Sequence, residues 1–180
     1  MAEHALQRMT VDEFLGWDDG SDLRHELADG VIRAMAPPSG PHRTVAFNAA
    51  GVIYNALRNR RPCRGETEAG IRIDEHTMWQ ADIAVTCQPT GPEVVDPILI
   101  VEVLSPSTRM HDLGRKLVDY KTLPSVTEIW MADAQRRWLQ LWRRESQGWL
   151  GQDFVAGAVF ESLHLQISVA LDELYADSSL

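Results

Sequence analysis

Two acids interrupt runs that otherwise read as buried strands. Asp82 lies in Ala81-Asp82-Ile83-Ala84-Val85, and Glu102 lies in Ile98-Leu99-Ile100-Val101-Glu102-Val103-Leu104. A buried carboxylate costs several kcal/mol, on the order of a desolvated charge, unless something neutralises it. Side chains alternate along a strand, so Asp82 is expected to share a face with Ala84, and Glu102 with Ile100 and Leu104. If the two strands are neighbours, both carboxylates aim at one place, where they repel unless a cation separates them. Oxygen donors of this kind suit Mg²⁺ or Mn²⁺, which keep several waters and need only one or two carboxylates. Asp82 and Glu102 are therefore the candidate metal ligands.

A lysine is the third candidate. Leu113, Leu117 and Tyr120 recur at helical spacing, and Lys116 falls on or beside that stripe. Its ammonium then points to the core side and needs a carboxylate. Lys121 lies further round, near the helix end, where it matches the helix dipole. The helix faces favour Lys116, with Lys121 as the alternative. An Asp, a Glu and a Lys around a divalent cation fit phosphodiester hydrolysis. The metal polarises the phosphoryl oxygen and activates a water, and the lysine orients that water or meets charge on the phosphate. The same three residues also fit a structural cluster without metal, so on residue types alone both readings stand.

These side chains need a scaffold. Thr10-Val11-Asp12-Glu13 has the form of a capping box opening a short helix to about Trp17. Leu23 to Leu27 and Val31 to Met35 read as strands turned by Asp29-Gly30. His42 to about Arg60 reads as a long helix with Val45, Ala49, Val52, Ile53, Ala56 and Leu57 on one face. Arg64 to Ile73 reads as extended, with Gly70 as a bulge position, and Gln80 to Thr86 as a strand. Ser105-Pro106-Ser107-Thr108 ends the Glu102 strand and caps a helix from about Thr108 to Leu123, stopped by Pro124. Glu128 to Ala132 reads as a buried strand. Arg137 to Arg143 and Trp149 to Val155 read as a hairpin, Leu163 to Val169 as extended, and Leu171 to Tyr175 as a last helix. No repeat or low-complexity linker interrupts residues 1–180. One α+β domain with a central mixed sheet is the economical architecture.

The string Val101-Glu102-Val103-Leu104-Ser105-Pro106-Ser107-Thr108 resembles the Uma-two family, bacterial proteins described as restriction endonucleases. Asp82-Ile83-Ala84-Val85, Asp112 to Lys116 with Tyr120, Glu128-Ile129-Trp130 with Asp133, Glu26-Leu27 with Asp29-Gly30, and His42 after a Pro-Ser-rich turn extend the resemblance from about Thr10 to Leu174. It implies the restriction endonuclease-like fold of the PD-(D/E)XK superfamily, an α/β arrangement with a central four-stranded mixed sheet flanked by helices. Here that sheet would carry an additional amino-terminal hairpin and carboxy-terminal strands. The motif acids map onto Asp82 and Glu102. The usual lysine position, two residues after the second acid, holds Leu104, which moves the lysine onto the following helix at Lys116. Ala81 replaces the proline before the first acid. The resemblance also brings in Glu26 as a further carboxylate or a surface acid, and His42 as an active-site or phosphate contact or a helix cap. Asp112, four residues before Lys116, either holds the lysine or only favours the helix.

Composition narrows the partners. The formal net charge is −9, which disfavours non-specific nucleic-acid binding outside a local basic surface. Arg58, Arg60, Arg61 and Arg64 form one such cluster, and Arg136, Arg137, Arg143 and Arg144 another; both also read as solvated faces. Cys63 and Cys87 match no metal spacing and read as reduced thiols. No apolar core region follows Met1 and no apolar run reaches membrane length, so a soluble, cytoplasmic protein without membrane contact is expected. Trp138, Gln140 and Trp142 alternate on one strand face, read as a covered sheet face or dimer contact ahead of a base-stacking platform. The expected activity is a Mg²⁺- or Mn²⁺-dependent endonuclease acting on DNA, as a homodimer if both strands are cut, or recruited by a protein partner. The alternative is a non-catalytic nuclease-fold domain used for partner binding or assembly.

Overall fold

The computed structural model describes residues 8–106 and 112–180. Thr10 caps helix α1 (Val11–Leu15) through the reciprocal capping box with Glu13. Strands β1 (His25–Ala28) and β2 (Val31–Ala34) form a hairpin. Its turn residues Asp29 and Gly30 both have positive φ, 52° and 78°, the geometry that a tight two-residue hairpin needs. Helix α2 (Gly40–Leu57) starts at Ser39, whose hydroxyl accepts the His42 backbone N–H, and it buries Val45, Ala49, Ile53 and Leu57 along one stripe.

Strands β3 (Arg64–Arg72) and β4 (Met78–Thr86) run antiparallel, and β5 (Leu99–Leu104) lies antiparallel to β4. A π-helical turn (Asp112–Lys116) leads into α3 (Leu117–Thr122) and then β6 (Glu128–Asp133), parallel to β5. The expected uniform helix from Thr108 is thus corrected over its described part: Gly114 sits mid-turn, where glycine weakens helical propagation. The Ser107-Thr108 cap lies outside the described residues, as does the Asp112 side chain.

The chain continues through β7 (Trp138–Glu145) and β8 (Gly148–Val155), a hairpin, then β9 (Val159–Ser162), β10 (Ile167–Ala170) and α4 (Leu171–Leu174). The segment expected to be extended from Leu163 to Val169 is instead a turn over residues 163–166 followed by β10, which pairs back on β9. Among the described residues, eight strands form one mixed sheet in the order β2-β1-β4-β5-β6-β7-β8, with β3 also on β4. It is larger than the four-stranded core that the resemblance implies, because hairpins extend it at both ends. Among the described strands only β5 and β6 are parallel neighbours, and both are buried along their whole length, as expected for strands covered on both faces.

Two apolar layers sandwich the sheet. α2 and α4 pack one face against Ile83, Val85, Leu99, Val101, Val103 and Trp130. Leu117 and Tyr120 of α3 pack the other, with Trp79, Ala81, Ala84, Ile100 and Leu104. Ala81 and Ala84 therefore face one side while Ile83 faces the other, so the alternation of β4 slips at Asp82. β3 slips with it at Glu68, which has φ 52° and lies opposite in the register. The bulge expected at Gly70 is not there, since Gly70 pairs regularly with Gln80.

The thiol expectation is overturned: Cys63 and Cys87 form a disulfide. Cys63 precedes β3 and Cys87 follows β4. The pair Arg64↔Thr86, extended by one residue, sets the two cysteines face to face. Their separation of 24 residues hid a cross-strand contact.

Candidate active site

The sheet opens where its acids lie. β4 pairs with β1 at Leu27↔Met78 and with β5 from Ile83↔Val101 onward. Between those points, side chains replace ladder partners. The Gln80 N–H donates to Glu26 Oε1 at 3.1 Å, and the Gln80 carbonyl accepts from Lys116 Nζ at 3.0 Å. The Val103 N–H donates to Asp82 Oδ2 at 2.6 Å. Main-chain groups that would otherwise be buried without partners thus fix the acids and the lysine in place.

Lys116 is the hub. Its Nζ lies 2.5 Å from Glu26 Oε1 and 3.3 Å from Glu102 Oε1. The Tyr120 hydroxyl donates to the same Glu102 oxygen at 2.7 Å. One turn of helix delivers both groups, because residues four apart share a face. The side chains of Lys116, Glu102 and Glu26 are 3%, 4% and 8% exposed, so this is a buried ion cluster. Lys121, the alternative, sits elsewhere: its Nζ lies 3.0 Å over the Trp142 ring, and burial pushes its ammonium down to about 8. Trp138 and Trp142 are partly buried against the α3 side, as the covered-face reading expects.

Asp82 is held from the other side of the sheet. His42 Nε2, in the first turn of α2, lies 3.0 Å from Asp82 Oδ1. Asp82 therefore does not share the face of Ala84, as simple alternation predicts; the slip in β4 turns it toward α2. The two acids nevertheless meet, because both line one cleft of about 220 Å³ with Ser39, His42, Ser105 and Lys116. Arg24 stands at the same cleft. His42 Nδ1 is buried without a hydrogen-bond partner among the described residues.

The five sequence candidates Asp82, Glu102, Lys116, Glu26 and His42 therefore form one connected set. Sequence reasoning places Tyr120 on the apolar stripe and in the family resemblance but gives it no role at the site; its position four residues after Lys116 is the signal for a second polar group on the same carboxylate. Among the described residues no three His, Cys, Asp or Glu side chains converge as a metal site. Asp82 and Glu102 offer two hard carboxylates on one cleft, the protein share that Mg²⁺ or Mn²⁺ requires when water and phosphate oxygens complete the shell. The donor set fits such an ion.

A family profile described as "Putative restriction endonuclease", Uma2, matches residues 11–172. The chain belongs to the Uma2 family. It is similar to a Synechocystis protein described as "Uncharacterized protein slr1290", with 27% identity over 174 residues that cover 93% of this chain and 92% of the relative. A second Synechocystis protein, "Uncharacterized protein sll1609", is 23% identical over 139 residues, 69% of this chain and 75% of that one. In fold, this Uma2 chain is similar to a crystal structure of "a putative nuclease belonging to DUF820" from Anabaena variabilis. The TM-score is 0.78 at 17% identity, covering 93% of this chain and 98% of that one. Among the described residues, no helix of this Uma2 chain is long and apolar enough to cross a membrane.

Proposed function

We propose that this chain is a divalent-cation-dependent endonuclease that hydrolyses phosphodiester bonds in DNA at the cleft lined by His42 at the start of α2 and by Lys116 of the π-helical turn. The observation that carries the reading is the pair of acids on adjacent strands, Asp82 and Glu102, opening on one cleft beside a buried lysine. Asp82 and Glu102 would hold Mg²⁺ or Mn²⁺. When bound, the ion would polarise a phosphoryl oxygen and lower the pKa of a coordinated water. The rest is work by the chain itself. His42 and the Val103 N–H orient Asp82, and Tyr120 and Lys116 orient Glu102. Such supporting contacts keep ligating oxygens aimed. Lys116 brings a positive charge to the cleft wall, where negative charge grows on the phosphate during hydrolysis. Glu26 anchors that ammonium as a second carboxylate.

Plasmid nicking with Mg²⁺, comparing the wild type with Asp82→Ala, tests the reading. Cleavage by the wild type alone supports it. Equal cleavage by both proteins points to a contaminant and removes the assignment. Calorimetry that detects no Mg²⁺ or Mn²⁺ binding at millimolar concentration would favour the non-catalytic, partner-binding alternative.

A further inference from the structure

A second concavity lies on the same helix as the cleft but at its far end. It has a volume of about 300 Å³, an apolar floor of Ile53, Leu57 and Ile83, a wall formed by Tyr54, and a rim carrying Arg58 and Arg61. From His42 at the cleft to Leu57 at this cavity the helix rises roughly 22 Å, at 1.5 Å per residue.

Three observations point to an anionic, partly aromatic occupant. First, Arg58 and Arg61 are exposed, and neither side chain makes a hydrogen bond or ion pair with a described residue. Second, residues 30–65 contain six arginines and no Asp or Glu, in a chain of net charge −9. This acid-free stretch supplies α2 and the arginine rim, so positive charge collects here against the trend of the molecule. Third, the outer face of α2 is unusual for a solvated helix. Phe47 and Tyr54 are 79% and 71% exposed. They lie in line with exposed Arg43, Gly51 and Arg58. A β-carbon on Gly51 would meet nothing within 4 Å, so no packing within the chain requires glycine there. Mid-helix glycine costs about 0.5–1 kcal/mol relative to alanine. An uncrowded glycine between two exposed aromatics leaves a flat place for an approaching ligand backbone.

We propose that this face is a strand-holding surface for single-stranded nucleic acid. Arg58 and Arg61 take backbone phosphates, and an unpaired base seats in the cavity against Tyr54. Arginine with an aromatic face is the combination that binds single strands without sequence preference. The stripe from Arg43 to Arg58 would lead the strand toward the cleft. The inference rests on the nuclease reading for its purpose, but not for its test.

The test is fluorescence anisotropy with a short labelled single-stranded DNA and its duplex, over a salt series from about 50 mM to 200 mM. The catalytically blocked Asp82→Ala protein serves as the parent, so cleavage does not intrude. The double variant Arg58→Glu/Arg61→Glu is expected to weaken single-strand binding at least about tenfold at the lowest salt. It should also reduce the slope of log K against log[salt] by roughly 1.4, two phosphate contacts' worth. Tyr54→Ala is expected to erase the preference for single strand over duplex while leaving the salt slope alone. All three positions are exposed, and an unchanged melting temperature confirms that the fold survives. Unchanged affinity and slope in the double variant overturn the proposal, even if Mg²⁺-dependent nicking by the wild type holds. An equal loss on duplex and single strand, with no effect of Tyr54→Ala, overturns the base-seating part. If nicking fails but the arginine variant loses binding, the nuclease reading falls and this surface stands.

Discussion

Replacing Lys116 by methionine keeps an unbranched side chain one atom shorter and removes the charge between two buried carboxylates. Glu26 at 2.5 Å and Glu102 at 3.3 Å lose their shared cation, and the Gln80 carbonyl loses a donor. With flanking carboxylates 8% and 4% exposed, solvent cannot replace it. Removing one partner of a buried ion pair costs about 3–5 kcal/mol. At a urea m-value of roughly 2 kcal/mol/M, the unfolding midpoint falls by on the order of 2 M. Urea unfolding of both proteins at neutral pH measures this. A loss below about 1 kcal/mol at neutral pH would refute the burial argument outright.

Three further outcomes follow from the geometry. Reducing the Cys63–Cys87 disulfide, or making Cys63→Ser/Cys87→Ser, should lower stability by about 3 kcal/mol, the loop-closure value for a separation of 24 residues, read by chemical denaturation with and without reductant. His42→Ala should leave the fold intact and weaken Mn²⁺ affinity about 10–100-fold, because Asp82 loses the contact that orients it; calorimetry reads this. Tyr175, whose hydroxyl donates to the Trp138 carbonyl and accepts the Asp133 N–H, is pushed up to about 12 chiefly by burial. The unfolded phenol ionises near 10, so stability should fall with pH from about 10 to 12, and Tyr175→Phe, otherwise less stable by about 1–3 kcal/mol, should lose that slope.

The strands that carry the site were legible because their apolar runs leave few alternatives, and the two acids stood out against them. Lys116 was legible from helical phase: its place beside Leu113, Leu117 and Tyr120 aims it at the sheet. Glu26 and His42 came from the resemblance, since nothing local in Glu26-Leu27 or Pro41-His42 tells a buried acid or an acid-holding imidazole from surface residues. The slip at Asp82 was not legible, because period-two alternation assumes a regular ladder, and here the ladder gives way to side-chain contacts. The disulfide was hidden for a related reason. Cross-strand register, not spacing along the chain, decides which cysteines meet. Strand β9 was missed because Val159-Phe160-Glu161-Ser162 is short and pairs only with β10, in a small sheet of its own.

The most direct measurement is a Mn²⁺-soaked crystal examined at the manganese absorption edge. One anomalous peak within about 2.0–2.2 Å of both an Asp82 and a Glu102 oxygen is the predicted result. A soaked crystal with no peak in the cleft, from protein that still nicks plasmid in a chelator, would contradict it.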